Sequence, residues 1–514
     1  MPRKMCGVIC HPTSMPGRFG IGELGASMFR FCDFLAEAGQ SIWQVLPLGP
    51  TGYGDSPYQP FSAFAGNPLL IDLKQLIGQG LLREEDVAQR PDLDADQVLY
   101  GPVIEFKNRV LRCSFQTAQQ RPSIYSALES FRADQSSWLE DYALFMALKL
   151  RFNWAVWSDW EPGIALRDAR ALEYWRNELR DEVTYQCYLQ FLFAEQWGRV
   201  KSYANERGIR IMGDAPIFVG HDSADVWSHR ELFSLDEKGL PTVVAGVPPD
   251  YFSATGQLWG NPHYRWAVMR ADGYAWWVAR LKRVLSQVDM VRLDHFRGFS
   301  GYWEVPAGEP TAINGRWVKG PGEDFFYTVG KALGELPIIA EDLGLISADV
   351  DALRRQFHFP GMKVLQFAFD SDASNVHLPH NYSADCVAYT GTHDNDTTLG
   401  WYASREEKVR HKARVYTGSD GNGMNWALIR LALTSVADIA MYPLQDVLGL
   451  GSEARLNTPG RPHSNWTWRY RDEMLRPELA AALRELAYLS GRWLPKGEAL
   501  PEEGLVTLHY QEPR

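Results

Sequence analysis

No stretch of the sequence approaches the roughly 20 consecutive apolar residues that a membrane helix needs. The opening residues, MPRKMCGVICHPTSMPG, carry basic side chains but neither a long apolar core nor a signal-cleavage pattern. Cysteine is scarce, six in 514 residues, and scattered. No CxxC pair occurs and no histidine stands at metal-ligand spacing, so neither a zinc site nor a redox site is expected. A GxxxxGK[ST] phosphate cradle and EF-hand spacing are both missing, which argues against nucleotide-sugar chemistry and against a resident metal. No cofactor is expected. Cations are outnumbered, 52 Lys+Arg against 63 Asp+Glu for a formal net charge of -11, a balance that excludes nucleic acid or an anionic membrane as the main partner. Solenoid repeats and polar low-complexity tracts are absent too. The expectation is a soluble cytoplasmic protein with reduced, mostly buried thiols; its oligomeric state is not legible.

Present instead is material for a large core, 45% hydrophobic and 13% aromatic residues. The length suits either three domains of about 150 residues or one barrel with long insertions. Residues 1 to about 74 are rich in Gly, Pro and Tyr and include a strand-like run at 41–48, SIWQVLPL. From about 75 to 205 charged and aromatic residues alternate with Leu and Ala. Segments such as 138–152 (WLEDYALFMALKLRF) space their apolar residues by three and four, the pattern of amphipathic helices. This stretch is expected to be a mainly helical insertion.

Beyond residue 206, five apolar runs end abruptly in a carboxylate: IRIMGD at 209–214, VDMVRLD at 288–294, LPIIAE at 336–341, MKVLQFAFD at 362–370 and CVAYTGTHD at 386–394. Helical patterns lie between them, as at 347–357 with Ser347 a candidate N-cap. Strands alternating with helices imply parallel pairing through right-handed crossovers, and near-continuous apolar strands fit a sheet buried on both faces. A doubly wound open sheet would also gather ligands at strand ends. No GxGxxG follows the first strand, however, and the carboxylate-ended runs spread over about 180 residues. The expected fold is therefore α/β, a (β/α)8 TIM barrel with long, mainly helical insertions. A bare barrel needs roughly 250 residues, so about half of the chain must be inserted.

Glycoside chemistry requires one carboxylate that attacks or stabilises and one carboxylic acid that protonates the leaving oxygen. Arg292 and Asp294 are two apart on one strand and share a side, so the guanidinium keeps Asp294 ionised. Glu341 follows the apolar Pro337-Ile-Ile-Ala340, a desolvated seat that favours its protonated form. His393-Asp394 ends another apolar strand and adds a third carboxylate with a donor for sugar hydroxyls. Any one of these acids would more often be a helix cap, and Asp342 fits that part. Three together with Arg292 and His393 favour an acid/base site.

Nine segments in order resemble the amylomaltase family, the 4-α-glucanotransferases or disproportionating enzymes of the α-amylase clan. They are HPTSMPGRFGIGELG (11–25), WQVLPLGPTGYGDSPYQPFSAFAGNP (43–68), GDAPIFV (213–219), PPDYFSATGQLWGNPHY (248–264), VRLDHFRGF (291–299), IIAEDLG (338–344), PGMKVLQFAFD (360–370), YTGTHDNDTT (389–398), and NTPG with NWTWR (457–460, 465–469). The resemblance implies one catalytic barrel over 1–514, with Asp294 as nucleophile, Glu341 as general acid/base and Asp394 as transition-state stabiliser. Arg292 and His393 match substrate-contacting positions, and Asp214 matches the clan's first motif, where its role is as much organisational as catalytic. Tyr58 resembles an aromatic platform beside the scissile sugar, and Asn465 resembles a residue of a groove-lining loop. Asp370, ending its own matching segment, joins the substrate-binding candidates. Met15, Ala215 and Ser347 depart from the family's commoner residues without touching the chemistry.

The implied reaction moves part of an α-1,4-glucan or maltooligosaccharide onto the 4-hydroxyl of another, through a covalent glucosyl-enzyme with net retention. Hydrolases share this machinery, so an α-glucosidase or amylase-like activity is the alternative, and a glycan-binding protein on a dead barrel is a third reading that the intact acids oppose. Transfer prevails where water is kept out. Residues 246–262 (GVPPDYFSATGQLWGNP) offer Tyr251, Phe252, Gln257 and Trp259 between Gly and Pro hinges, and are expected to form an aromatic lid loop over the active site. An ordinary loop packing its rings on the barrel is the alternative. Tyr53 and Gly54 are a candidate secondary glucan contact.

Overall fold

The computed structural model describes residues 4–249, 253–344, 347–461 and 463–495. Its strands, in chain order, are β1 (Met5–Ile9), β2 (Ile42–Gln44), β3 (Arg210–Pro216), β4 (Val243–Val247), β5 (Gln257–Pro262), β6 (Met290–Asp294), β7 (Gly301–Pro306), β8 (Arg316–Lys319), β9 (Ile338–Ala340), β10 (Gly361–Val364), β11 (Cys386–Tyr389) and β12 (Ile439–Pro443). Eight of them form one parallel sheet in the order β10-β11-β12-β1-β2-β3-β6-β9. The remaining joint, between β9 and β10, is bridged by the Ala340 amide donating to Pro360 O at 2.9 Å. The sheet is thus a nearly closed (β/α)8 barrel, as its sequence pattern predicts.

Helices occupy the crossovers. The first, Ala26–Glu37, buries Met28, Phe31, Cys32 and Leu35, a three- and four-residue stripe that faces the sheet. Helices Ala275–Gln287, Glu323–Leu333, Ala348–Gln356 and Met424–Thr434 precede β6, β9, β10 and β12. Inside the barrel a separate buried cluster is built from Ile42, Met212, Met290, Met362, Tyr389 and Met441 with their neighbours. Unbranched methionines fill the irregular gaps of so narrow a lumen, and Tyr389 donates to Gln44 Oε1 at 3.1 Å.

Between β2 and β3 every regular element among the described residues is helical, from Leu73–Gly78 to Arg180–Glu206. Residues 73–206 are thus mainly helical. The segment 246–262 differs from a simple loop. β4 and β5 pair antiparallel, and with β7 and β8 make a four-stranded sheet in the order β5-β4-β7-β8. This second sheet sits on the barrel through Asn261 Nδ2 donating to Val219 O at 2.9 Å and Tyr264 OH donating to Ile217 O at 2.7 Å, both just beyond the end of β3. No described helix is long and apolar enough to cross a membrane, and no disulfide joins the cysteines, five of which are buried.

Candidate active site

Register places the first group of acids. Asp214 on β3 pairs with Arg292 on β6, and Asp294 is the last residue of β6. The Arg292 guanidinium therefore reaches both carboxylates, with Nη2 2.7 Å from Asp214 Oδ2 and 2.8 Å from Asp294 Oδ1. Tyr58 OH donates to Asp214 Oδ2 at 2.7 Å. Burial opposes the Arg292 charge, but the two carboxylates outweigh it and hold the guanidinium well above its ordinary value. Burial also pushes Asp214 up, to about 7, against the pull of Arg292. Its second oxygen, Oδ1, has no hydrogen-bond partner among the described residues.

Glu341 stands one residue past β9. Its amide donates to Leu293 O and its carbonyl accepts from the Phe296 amide, each at 3.1 Å, so its backbone is stitched to the end of β6. The carboxyl accepts from the amides of His295 at 2.8 Å and Leu343 at 3.0 Å. No described cation forms a salt bridge with it. Burial first, and then repulsion from Asp294, raise its pKa well above the usual carboxylate range. Two neighbouring strand-end acids thus sit in opposite electrostatic settings, one salt-bridged and one desolvated, which is how acid and base roles are separated.

His295 makes that arrangement possible and was not anticipated. Its backbone is left-handed, φ 55, a conformation an L side chain adopts at a cost, and the kink presents its amide to Glu341. Its ring is pinned by Trp259 at 4.8 Å in a perpendicular stack. Burial lowers its pKa to about 4, so the imidazole is neutral. Gln257, exposed on the same strand, accepts from Trp259 Nε1 at 3.2 Å. Tyr251 and Phe252 lie outside the described residues.

Asp394 is held differently, five residues beyond β11. Its Oδ1 accepts from Asn457 Nδ2 at 2.6 Å and lies 3.3 Å from His393 Nε2. Its carbonyl accepts from Arg455 Nη2 at 2.7 Å and its amide donates to Thr392 Oγ1 at 3.3 Å. Burial lowers the His393 pKa and keeps the ring neutral. The ring stacks on Tyr58, 5.0 Å between centroids and 11° between planes, and Trp466 packs on both. Tyr58 and His393 therefore tie the Asp394 side of the cluster to the Asp214–Arg292 side.

Asn465 and Asp370 stand apart from the hydrogen-bond network of the acids. Asn465 accepts from the Thr458 amide at 2.9 Å and donates to Arg461 O at 2.8 Å. It braces the loop that carries Asn457 and forms no hydrogen bond with the acids. Asp370 is exposed. Strand β10 stops at Val364, a 3-10 turn Leu365–Phe367 redirects the chain, and no hydrogen bond among the described residues joins Asp370 to the cluster. Asp342 is not a helix cap either, since its Oδ1 accepts from the Met362 amide of β10 at 2.6 Å.

A sequence model of the family 4-alpha-glucanotransferase matches residues 10–475. The chain belongs to the 4-alpha-glucanotransferase family. The family member from Synechocystis is 53% identical over 96% of this chain and 99% of its own length. That from Thermus thermophilus is 51% identical over 96% and 99%, and the chloroplastic/amyloplastic one of Solanum tuberosum is 46% identical over 91% and 82%. Among solved structures, an amylomaltase from Streptococcus agalactiae in complex with acarbose superposes with a TM-score of 0.93 at 37% identity, covering 96% of this chain and all of that one. The amylomaltase of Corynebacterium glutamicum shares the fold, TM-score 0.73 at 18% identity over 95% and 75%. As a member of this family the chain is an enzyme that transfers glucan segments.

Proposed function

We propose that this glucanotransferase works by two displacements on one anomeric carbon. Glu341 donates its proton to the glycosidic oxygen while an Asp294 oxygen attacks C1, and the C1–O bond breaks to release the 4-hydroxyl end of the donor. Glu341, now ionised, takes the proton from an acceptor 4-hydroxyl, whose oxygen attacks C1 and expels Asp294. Two inversions give net retention, for which the Asp294 and Glu341 carboxyls belong about 5 to 5.5 Å apart. Asp394 and His393 hold sugar hydroxyls, and Arg292 fixes the position of the attacking carboxylate. Donors and acceptors are α-1,4-glucans and maltooligosaccharides, in a cytoplasm whose reducing conditions suit buried, unbridged cysteines.

The single observation that carries this reading is the contrast between Asp294, salt-bridged at 2.8 Å to Arg292, and Glu341, which meets amide donors and whose proton is retained by burial. Transfer rather than hydrolysis is supported by Trp259, brought over His295 by the second sheet, and by the relatives' shared activity. Incubation with maltotriose tests it. Glucose and longer maltooligosaccharides should accumulate with a nearly constant total of reducing ends, whereas a steady rise in reducing ends means hydrolysis and overturns the transferase reading.

A further inference from the structure

Away from the acids, the turn after helix Leu139–Arg151 carries two consecutive left-handed residues, Asn153 with φ 52 and Trp154 with φ 62. Glycine adopts this conformation without cost, and a side chain does not. Trp154 does not recover the cost by burial, being 48% exposed. The turn is nonetheless held firmly from beneath. Lys149, 1% exposed, donates through Nζ to Trp154 O at 2.8 Å, Ala155 O at 2.9 Å and Asp222 Oδ2 at 2.6 Å. A buried cation is thus committed to fixing the position of a half-exposed indole.

The indole lies beside Phe61, 5.8 Å between centroids and 37° between planes. Phe61 is fixed on both sides, its amide donating to Pro50 O at 3.1 Å and its carbonyl accepting from the Ala224 amide at 2.8 Å. It follows Tyr58 by three residues, a reach of roughly 10 Å at most. The two rings therefore make a ledge that begins near Tyr58. Asp222, its side chain 29% exposed, supplies a carboxylate within the same group. Rigid aromatic surface flanked by a hydrogen-bond acceptor has the chemistry of a platform for the apolar face of a pyranose.

Resting on the glucan-transfer reading above, we propose that Trp154 and Phe61 form a remote glucan subsite that engages chains extending beyond the catalytic cleft. Aromatic stacking of ordinary strength corresponds to roughly a three- to tenfold effect on binding. The variant to make is Trp154→Gly, because glycine suits the left-handed backbone and spares the fold. Its KM for amylose should rise three- to tenfold, with disproportionation of maltotriose unchanged, and Trp154→Phe should retain most of the affinity for amylose. Calorimetric titration of maltoheptaose and maltotriose into the Glu341→Gln and Glu341→Gln/Trp154→Gly proteins checks the ledge without turnover. Weaker maltoheptaose binding in the double variant alone supports it. Equal losses for both sugars, or no loss for either, overturns the subsite. Failure of the unsubstituted protein to act on maltotriose overturns instead the transfer reading on which the subsite rests.

Discussion

The acids on the two sides of the site are held in contrasting ways. On one side Asp294 and Glu341 are placed by the barrel itself. The Asp294 carbonyl accepts from the Ile217 amide at 3.2 Å, and both backbone groups of Glu341 join the end of β6. On the other side the Asp394 backbone is held by the side chains of Thr392 and Arg455, and its carboxyl by Asn457. Backbone ladders survive substitution of their side chains; side-chain tethers do not. Asp294 and Glu341 are therefore built into the fold, and Asp394 is adjustable through a loop.

Substitution at the rigid side sharpens that contrast most. Asp294→Asn should cost on the order of 10⁴-fold or more in kcat and leave thermal unfolding little changed, because Arg292 keeps Asp214. In the same variant the Glu341 carboxyl, followed by NMR, should titrate at lower pH than in the unsubstituted protein, since repulsion from Asp294 is one cause of its raised pKa. An unmoved titration would mean that burial alone governs the proton.

At the adjustable side, Asn457→Ala removes a hydrogen bond to a charged acceptor, about 1.5–3 kcal/mol, and should lower kcat/KM roughly 10- to 100-fold. Asn457→Asp sets a second carboxylate against Asp394 Oδ1, and two adjoining acids resist joint ionisation. Its acidic limb in kcat/KM against pH should move upward, which loss of structure alone would not produce. Asn465→Ala, which only loosens the supporting loop, should cost a few-fold at most, about 1 kcal/mol. A larger loss than at Asn457 would reverse the proposed order of importance.

The pH profile reads the rigid side again, with the smallest perturbation. In the proposed mechanism Glu341 carries a proton for the first displacement, so activity is expected below its pKa and should fall as pH rises through it. With that pKa above the usual carboxylate range, the basic limb of kcat/KM should lie near or above neutral pH. A limb near the ordinary glutamic range would show that the acid is not desolvated during turnover.

Which residues the sequence disclosed follows from the same division. Arg292, Asp294 and Glu341 announce themselves because each ends or follows an apolar run, and a strand's two-residue period fixes their side. Strands β1 and β12 were not anticipated. Runs of five residues such as MCGVI and IAMYP have no periodicity that separates a buried strand from a buried helix. The second sheet was hidden for a related reason, since GVPPDYFSATG reads as loop and only the pairing of 243–247 with 257–262 and with 301–306 makes its flanks into strands. Asn457 and Arg455 lie about 60 residues from Asp394, and no local pattern encodes such a tether. The strand expected to run to Asp370 is shorter for the opposite reason: its alternating apolar run looks like a strand to the end, yet the chain turns after Val364.

Closure of the barrel has its own consequence. Beside the Ala340–Pro360 hydrogen bond, the joint between β9 and β10 is held by Asp342, whose carboxylate grips the Met362 amide and leaves at Gly361 room for no side chain. That clasp is the very next residue after Glu341. The hydrogen bond that closes the ring and the carboxyl of Glu341 thus hang on adjacent residues of one chain segment, and hydrogen exchange at the Met362 amide would report how firmly that segment is held.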